Sequence, residues 1–354
     1  MKNNDRSKLL NTIRAEFQNS RSFVITSHIN PDGDAIGSVL GLYHLLKDES
    51  ASDVTFSLLL PSRCPDNLQW LPGASALQVW ENSTEQKNLV RNADCIVVLD
   101  LNTLERLHTL GEEIRGSSAK IINIDHHVQP ETFAHLQLID TDAAATCQMV
   151  AELFLFDEGT PSAIRKSSEG SEHRTSAAQC LYTGIMTDSG GFRFPRTTPA
   201  LLRLAANLVE CGADPVKAYD LTNNTHQPAA ISLLGNALRS MKLFYDGRVC
   251  FMVVTADDLK QTGCTVEATD GLVQHTLSIQ GVRIGVLFVE LPDQIKCSLR
   301  SKQNVFIRDV AASMGGGGHN YAAGVRVPGV PLETVIGIMH QKLGELLNAV
   351  PGEE

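Results

Sequence analysis

Five stretches of the 354-residue chain concentrate side chains that can do chemistry. In the first, His28-Ile-Asn-Pro-Asp32-Gly-Asp34, one imidazole and two carboxylates surround a turn set by Pro31 and Gly33. Such a group can bind a divalent cation, and it can equally be an Asx turn capping the next helix with Asp34 as the N-cap. On these residues alone the two readings stand even. The second stretch is Asp100, which closes the apolar run 95–99 and taken alone reads as a turn cap. The third, Asp125-His126-His127, closes another apolar run. Paired histidines behind an aspartate favour metal ligation, because neutral imidazole is a common ligand that needs a polar partner to orient it. The fourth, Thr187-Asp188-Ser189-Gly190-Gly191, ends a helical stretch in an acid that the helix dipole disfavours, which points to a cation nearby.

One open α/β sheet could bring these acids and imidazoles to a single cleft. Oxygen and nitrogen donors without thiolate suit Mn²⁺, Mg²⁺ or a similar ion rather than structural zinc. Two ions about 3.5 to 4 Å apart would activate water and steady an in-line phosphoryl displacement. The fifth stretch is Gly315-Gly-Gly-Gly318-His319-Asn-Tyr-Ala-Ala-Gly324, whose glycines let backbone N–H groups approach an anion. It is not a dinucleotide fingerprint, since Asn320 or Tyr321 falls at the last glycine, nor a P-loop, since His319 stands where lysine is required. Upstream, Arg300 and Lys302 end a strand with cations suited to phosphate, although Lys302 reads equally well as a solvated surface residue.

The elements that must position these groups follow from the apolar pattern. Runs at 23–27, 54–60, 95–99 and 121–124 are apolar on consecutive positions and alternate with helical stretches at 8–17, 35–46 and 145–156. This predicts a mostly parallel sheet with helices on both faces, whose carboxyl strand ends gather ligands. Residues 157–174 read as a loop, and a helix capped by Thr198 and Pro199 ends before Gly212. Residues 213–228 mix turn formers with polar groups and mark the junction, with a helix expected over 229–243. Strands at 248–254, 282–289 and 295–299 and helices at 307–314 and 332–347 then form a smaller C-terminal α/β domain. The expected division is 1–225 and 241–354, joined by a helical linker over 225–240, with the active-site cleft between the domains.

Composition bounds the function. Thirty Lys plus Arg against forty Asp plus Glu give a formal charge of −10, which argues against coating long nucleic acid. No apolar run approaches the roughly 20 residues of a membrane helix, and residues 1–20 carry no secretory signal, so a cytoplasmic protein with no membrane partner is expected. Eight scattered cysteines lack any C-x-x-C pair and read as buried thiols. Trp70 and Trp80 are expected to pack, and the remaining histidines to play ordinary roles.

SHINPDGDAIGS, VVLD, IDHH, GIMTDSGGF and GGGGHNYAAG together resemble the motifs of the DHH phosphoesterases with their DHH-associated C-terminal domain. Within that family the chain looks most like the branch of oligoribonucleases that also act as 3′-phosphoadenosine 5′-phosphate phosphatases. The resemblance implies a cytoplasmic hydrolase, an exonuclease of very short RNA, with two Mn²⁺ ions, Mg²⁺ or Co²⁺ being substitutes. One ion would be held by His28, Asp32 and Asp100 and the other by Asp34, Asp100, His126 and Asp188. Asp125 would support His127, which would contact the scissile phosphate and help the leaving oxygen. Arg300, Gly316, Gly317, Gly318 and His319 would grip the rest of the substrate, with Arg106 and Arg193 as further phosphate contacts. Ser189 and Asn320 depart from the commoner Thr and basic residue, the latter weakening substrate grip. The expected substrates are short oligoribonucleotides, 3′-phosphoadenosine 5′-phosphate or dinucleotides, not long duplexes, and a homodimer is compatible. Competing readings are a cyclic or linear dinucleotide phosphodiesterase and a non-catalytic nucleotide sensor; a pyrophosphatase and a processive single-strand DNA exonuclease are disfavoured.

Overall fold

Residues 95–99 are apolar at every position because both faces of their strand are covered. Cys95, Val97 and Leu99 join one core, and Ile96 and Val98 join another on the opposite face. The computed structural model describes residues 3–155, 171–302 and 305–349. The chain divides into two units, Met1–Thr225 and His226–Glu354. In the first, the order is α1 (Asn3–Asn19), β1 (Ser22–Ser27), α2 (Gly33–Glu49), β2 (Thr55–Leu60), β3 (Leu77–Val79), α3 (Thr84–Arg91) and β4 (Cys95–Leu99). It continues with α4 (Thr109–Arg115), β5 (Lys120–Asp125), β6 (Leu136–Ile139), α5 (Thr146–Leu155), α6 (Glu172–Asp188), α7 (Pro199–Glu210) and α8 (Pro215–Asn223). Six strands among the described residues pair in the order β3-β2-β1-β4-β5-β6, all parallel. The chain builds outward from β1 to β3, then crosses to the other side of β1 for β4. That reversal between β1 and β4 is where an open parallel sheet leaves a crevice at its carboxyl ends.

A glycine stripe sets how closely the helices over this sheet approach. Gly33, Gly37 and Gly41 recur every fourth residue of α2, on the side facing α6. A Cβ on Gly37 would stand 2.6 Å from the Cys180 carbonyl oxygen and 3.2 Å from Gly184 Cα, and one on Gly184 would collide with Cys147 Sγ. Only hydrogen fits at these points, so the start of α2 and the end of α6 come together.

Several expectations are corrected. The N-cap of α2 is Asp32, whose Oδ1 accepts from the Asp34 and Ala35 N–H groups at 3.0 and 3.1 Å. Asp34 lies inside the first turn instead. The polar stretch after residue 213 contains α8, because its Asp and Pro are a helix start: Asp214 caps Val216 and Lys217, and Pro215 opens the helix. Of the stretch read as a loop over 157–174, residues 157–170 lie outside the described ones, while Glu172–Arg174 open α6. β3 and β6, four residues or fewer, were too short to register as apolar runs.

The second unit comprises α9 (Pro228–Arg239), β7 (Lys242–Phe244), β8 (Val249–Val254), α10 (Ala256–Thr262), β9 (Ile284–Glu290) and β10 (Gln294–Ser301). α11 (Arg308–Ser313), β11 (Gly317–His319), β12 (Ala322–Pro328) and α12 (Leu332–Ala349) follow. The helix expected over 229–243 stops at Arg239, where Ser240 exchanges hydrogen bonds with the backbone of Val253 and the chain turns into β7. α9, expected as a linker, packs Leu233 and Ala237 against Met252, Val254, Leu287 and Val289 of the sheet. The sheet order is β11-β12-β10-β9-β8-β7, antiparallel except for β8 beside β9. Along β10, Ile295, Cys297 and Leu299 enter a core with α11 and α12, so Lys296, Ser298 and Arg300 face the other way. Among the described residues no helix is long and apolar enough to cross a membrane. All eight cysteines are free, six of them buried. Trp80 packs in the core beside β4, and Trp70 packs at the edge of the other.

Candidate metal centre and phosphate groove

Three neighbouring strands of the first sheet end in a polar residue where the apolar run stops. β1 runs into His28, β4 into Asp100, and β5 ends on Asp125 with His126 and His127 following. The glycine stripe adds Asp34 from α2 and Asp188 from the end of α6. The sequence-predicted ligands meet around Asp100. Its Oδ2 lies 3.4 Å from His28 Nε2, and its Oδ1 lies 3.5 Å from His126 Nε2. His126 Nε2 is also 3.5 Å from Asp188 Oδ2 and 3.8 Å from Asp34 Oδ2. His28, Asp32 and Asp100 form one triad of mutually close donors, and Asp34, His126 and Asp188 another. Asp32 Oδ1 thus caps α2 while its carboxylate lies within reach of His28 and Asp100.

The imidazoles are aimed by their second nitrogens. His28 Nδ1–H donates to the Ile29 carbonyl at 2.8 Å, and His126 Nδ1–H to the Ala143 carbonyl at 3.2 Å. Each ring therefore turns Nε2 toward the acids. Asp34 accepts from the Thr146 and Cys147 N–H groups at 2.6 and 2.8 Å, so it also anchors the start of α5. A third triad, Asp100, His126 and His127, is close enough to suggest His127 as a ligand. Its Nδ1 is engaged, however, donating to Asp125 Oδ1 at 2.7 Å, against 3.6 Å to Asp100. It is therefore held by Asp125 through Nδ1 rather than by Asp100.

The electrostatics fit divalent cations. Burial, followed by the charges of Asp100 and Asp188, pushes the Asp34 carboxyl well above the usual range. Burial and neighbouring acids, partly offset by His126, lift Asp188 to about 6. Asp100 moves the opposite way: although burial disfavours its charge, hydrogen bonds from His126 and His28 hold it below the ordinary value. Several carboxylates crowded in a buried site repel one another, and a cation relieves that strain. The donors are oxygen and imidazole. The nearby Cys147 thiol is pushed far up by burial and stays neutral, so the set suits Mn²⁺ or Mg²⁺ rather than a thiolate site.

This arrangement links metal binding to pH. Burial would lower His126, but its hydrogen bond with Asp100 and the charges of Asp34, Asp100 and Asp188 raise it to about 9. Were His126 to ligate an ion through Nε2, the proton the ring carries below that pH would have to leave, so Mn²⁺ affinity should rise as pH climbs from 7 to 9 and level off above. Calorimetry of Mn²⁺ binding at pH 7, in buffers of different ionisation enthalpy, should show net proton release, to which His126 and Asp34 both contribute. An affinity flat between pH 7 and 9 would exclude His126 as the ligand.

Two cations beside this cluster differ in how far sequence could find them. Arg106 is half-buried in a short helical turn whose backbone binds Ile29, and its charge acts on His28. Arg196, unmarked by any motif, brings Nη1 within 3.4 Å of the Ala143 carbonyl and His126 Nδ1. Arg193 is exposed and bonds the Gly190 carbonyl.

The glycine-rich stretch forms a hairpin rather than a loose loop. Gly317 pairs with Gly324, Gly318 with Ala323 and His319 with Ala322. A Cβ on Gly316 would strike the Gly324 carbonyl, and one on Gly318 would stand 2.5 Å from the Ala322 oxygen, so β11 can lie against β12 only without side chains there. Across the sheet His319, Ala322 and Arg300 fall in one row, and Ser298 faces Gly324 in the next. The same face carries Lys296 opposite Arg326, a pair that sequence reading missed because their relation depends on register. An open groove of about 430 Å³ runs along Lys296, Ser298, Gly315, Gly316, Gly324 and Arg326. Lys296 is engaged with Asp270 at 2.8 Å and Lys302 with the Leu277 carbonyl.

An acidic and imidazole cluster at the switch point of a parallel sheet, followed by a glycine-histidine hairpin domain, defines a class of phosphoesterase. Residues 22–185 match the DHH family N-terminal domain and residues 246–350 the DHHA1 domain. The chain belongs to the DHH family. It is 32% identical over 313 residues to the bifunctional oligoribonuclease and PAP phosphatase NrnA of Thermus thermophilus, covering 87% of this chain and 85% of that protein. The NrnA of Bacillus subtilis is 30% identical, with 86% and 89% covered. Among solved structures, an exopolyphosphatase-related protein from Bacteroides fragilis superposes with a TM-score of 0.84 at 29% identity, covering 96% of each chain.

Proposed function

We propose that this enzyme degrades very short oligoribonucleotides to mononucleotides and dephosphorylates 3′-phosphoadenosine 5′-phosphate, using two Mn²⁺ ions. The reading rests on one observation, the meeting of both donor triads at Asp100. The activities named for the Thermus and Bacillus relatives support the substrate class. Chemistry unites the two substrates: 3′-phosphoadenosine 5′-phosphate is a nucleoside flanked by two phosphates, as is the first residue of a 5′-phosphorylated oligonucleotide. One site that grips one phosphate and cleaves at the other would accept both.

In this reading His28, Asp32 and Asp100 would hold one ion, and Asp34, Asp100, His126 and Asp188 would hold the other. Bound divalent cations supply Lewis-acid stabilisation of phosphoryl charge and acidify water. The chain's own groups do the rest. Asp125 orients His127 by accepting from its Nδ1–H, so that in the imidazolium form the Nε2–H would pass its proton to the departing oxygen. Arg300, the N–H groups of Gly316 to Gly318 and His319 receive the phosphate that does not react.

The test is a side-by-side assay with Mn²⁺ of a diribonucleotide, 3′-phosphoadenosine 5′-phosphate, cyclic di-AMP and pyrophosphate. Turnover of the first two is expected. Hydrolysis of pyrophosphate or cyclic di-AMP alone would overturn the substrate assignment, and nucleotide binding without turnover would favour a sensor.

A further inference from the structure

We infer that Arg196 holds the phosphate that follows the scissile one in an oligonucleotide, and so decides how well the enzyme handles strands longer than two nucleotides. The inference rests on the oligonucleotide reading above and deepens it. In that reading the nucleoside before the scissile bond has phosphate ligands, whereas the strand beyond the bond has none assigned. 3′-Phosphoadenosine 5′-phosphate carries nothing beyond its 3′-phosphate. A group that serves the following strand would therefore act on one substrate and not on the other.

Arg196 stands at the edge of the cluster, on the side of His126 that turns away from the acids. The ring directs Nε2 to Asp34, Asp100 and Asp188, and its Nδ1 lies 3.4 Å from Arg196 Nη1. Nη1 is also 3.4 Å from the Ala143 carbonyl, which already accepts from His126 Nδ1–H. At that length the bond is a weak one, and most of the five guanidinium N–H groups stay unused. The residue is exposed, and among the described residues no carboxylate pairs with it. A guanidinium with a free planar fork suits a phosphate, which it can grip through two oxygens. One imidazole separates this charge from the nitrogen that would ligate, so it serves the neighbouring phosphate of a strand rather than the one that reacts. Its backbone is tied on both sides. The Ser189 carbonyl accepts from the Arg193 and Phe194 N–H groups at 3.0 Å, and the Thr197 N–H bonds the Phe194 carbonyl at 2.9 Å. Thr198 then caps α7, its Oγ1 accepting from the Leu201 N–H at 3.2 Å. The segment that leaves Asp188 thus presents Arg196 from a fixed turn, and in a chain of formal charge −10 such a local cation is what draws a polyanion to the site.

The experiment measures kcat/KM with Mn²⁺ on 3′-phosphoadenosine 5′-phosphate, 5′-phosphorylated diadenylate and 5′-phosphorylated triadenylate, using the full-length chain. The triadenylate is also made with a neutral methylphosphonate between its second and third nucleotides. Arg196→Ala should lower kcat/KM on the triadenylate by about ten- to a hundredfold, the range for a hydrogen-bonded charge, and leave the two shorter substrates unchanged. The methylphosphonate should cost the wild type a similar factor and the variant nothing further, because both changes remove the same contact. Arg196→Lys should restore part of the rate, keeping the charge without the fork. Calorimetric dissociation constants for the charged and neutral triadenylates, made uncleavable by CH₂ in place of the scissile 3′ oxygen, should differ by the same factor in the wild type alone. An equal loss on all three substrates would mean that Arg196 only props the carbonyl orienting His126, and overturns the inference. So does a methylphosphonate penalty that persists in the variant, or a wild type that does not distinguish the charged from the neutral ligand. Should the wild type turn over none of the substrates, the hydrolase reading fails while the binding pair still decides the role of Arg196.

Discussion

Asp100→Asn is expected to lower turnover of a diribonucleotide and of 3′-phosphoadenosine 5′-phosphate by about a thousandfold or more. The side chain sits between the donor sets, His28 approaching one oxygen at 3.4 Å and His126 the other at 3.5 Å, with Thr146 Oγ1 donating to it at 3.1 Å. Asparagine preserves the shape but removes the charge and replaces an acceptor oxygen with an NH₂ group that cannot ligate. It is also the substitution the backbone tolerates: Asp100 has φ of 58°, in the left-handed region where Asn and Asp are the least strained side-chain-bearing residues. An alanine there would mix backbone strain with lost ligation. The readouts are kcat at saturating Mn²⁺ and the rise in melting temperature on adding Mn²⁺, which should vanish with the loss of binding. A variant keeping a tenth of wild-type activity would mean that Asp100 does not link the two ions.

His127→Ala should reduce kcat by about 10²- to 10⁴-fold, the range for a positioned proton donor, while Mn²⁺ affinity stays within a few-fold of wild type. The division follows from geometry. His127 spends Nδ1 on Asp125 at 2.7 Å, and its side chain is 35% exposed, whereas the His28 and His126 side chains are nearly enclosed. If His127 belonged to the triad it approaches with Asp100 and His126, the same change would weaken Mn²⁺ binding as strongly as it weakens turnover. Calorimetric titration beside the kinetic assay separates these outcomes. A substrate with a highly acidic leaving group, which needs no proton, should lose much less rate in the variant than a diribonucleotide does.

Residues 95–99 and 121–124 were legible as parallel strands because a strand covered on both faces must be apolar at every position, a pattern that needs no knowledge of its neighbours. The glycines of 315–318 were legible as a close backbone approach, though not as a hairpin, since four glycines carry no side-chain alternation. The cap of α2 fell on Asp32 rather than Asp34 because a two-residue shift in the helix start, invisible in a turn of Asp, Gly and Asp, decides which carboxylate reaches the first N–H groups. Arg196 left no trace in the sequence. It is one arginine in an irregular segment, and its approach to His126 depends on the path from α6 to α7.

Local patterns thus determined the sheet, its helices and the kinds of donor waiting at the strand ends, because hydrophobic periodicity and turn chemistry act over a few residues. The tertiary structure decided which donors face one another. That choice depends on strand order, which puts β1 beside β4, and on a helix contact at Gly37 and Gly184 that joins positions nearly 150 residues apart. Such contacts form only when distant segments pack, so no short window of sequence encodes them.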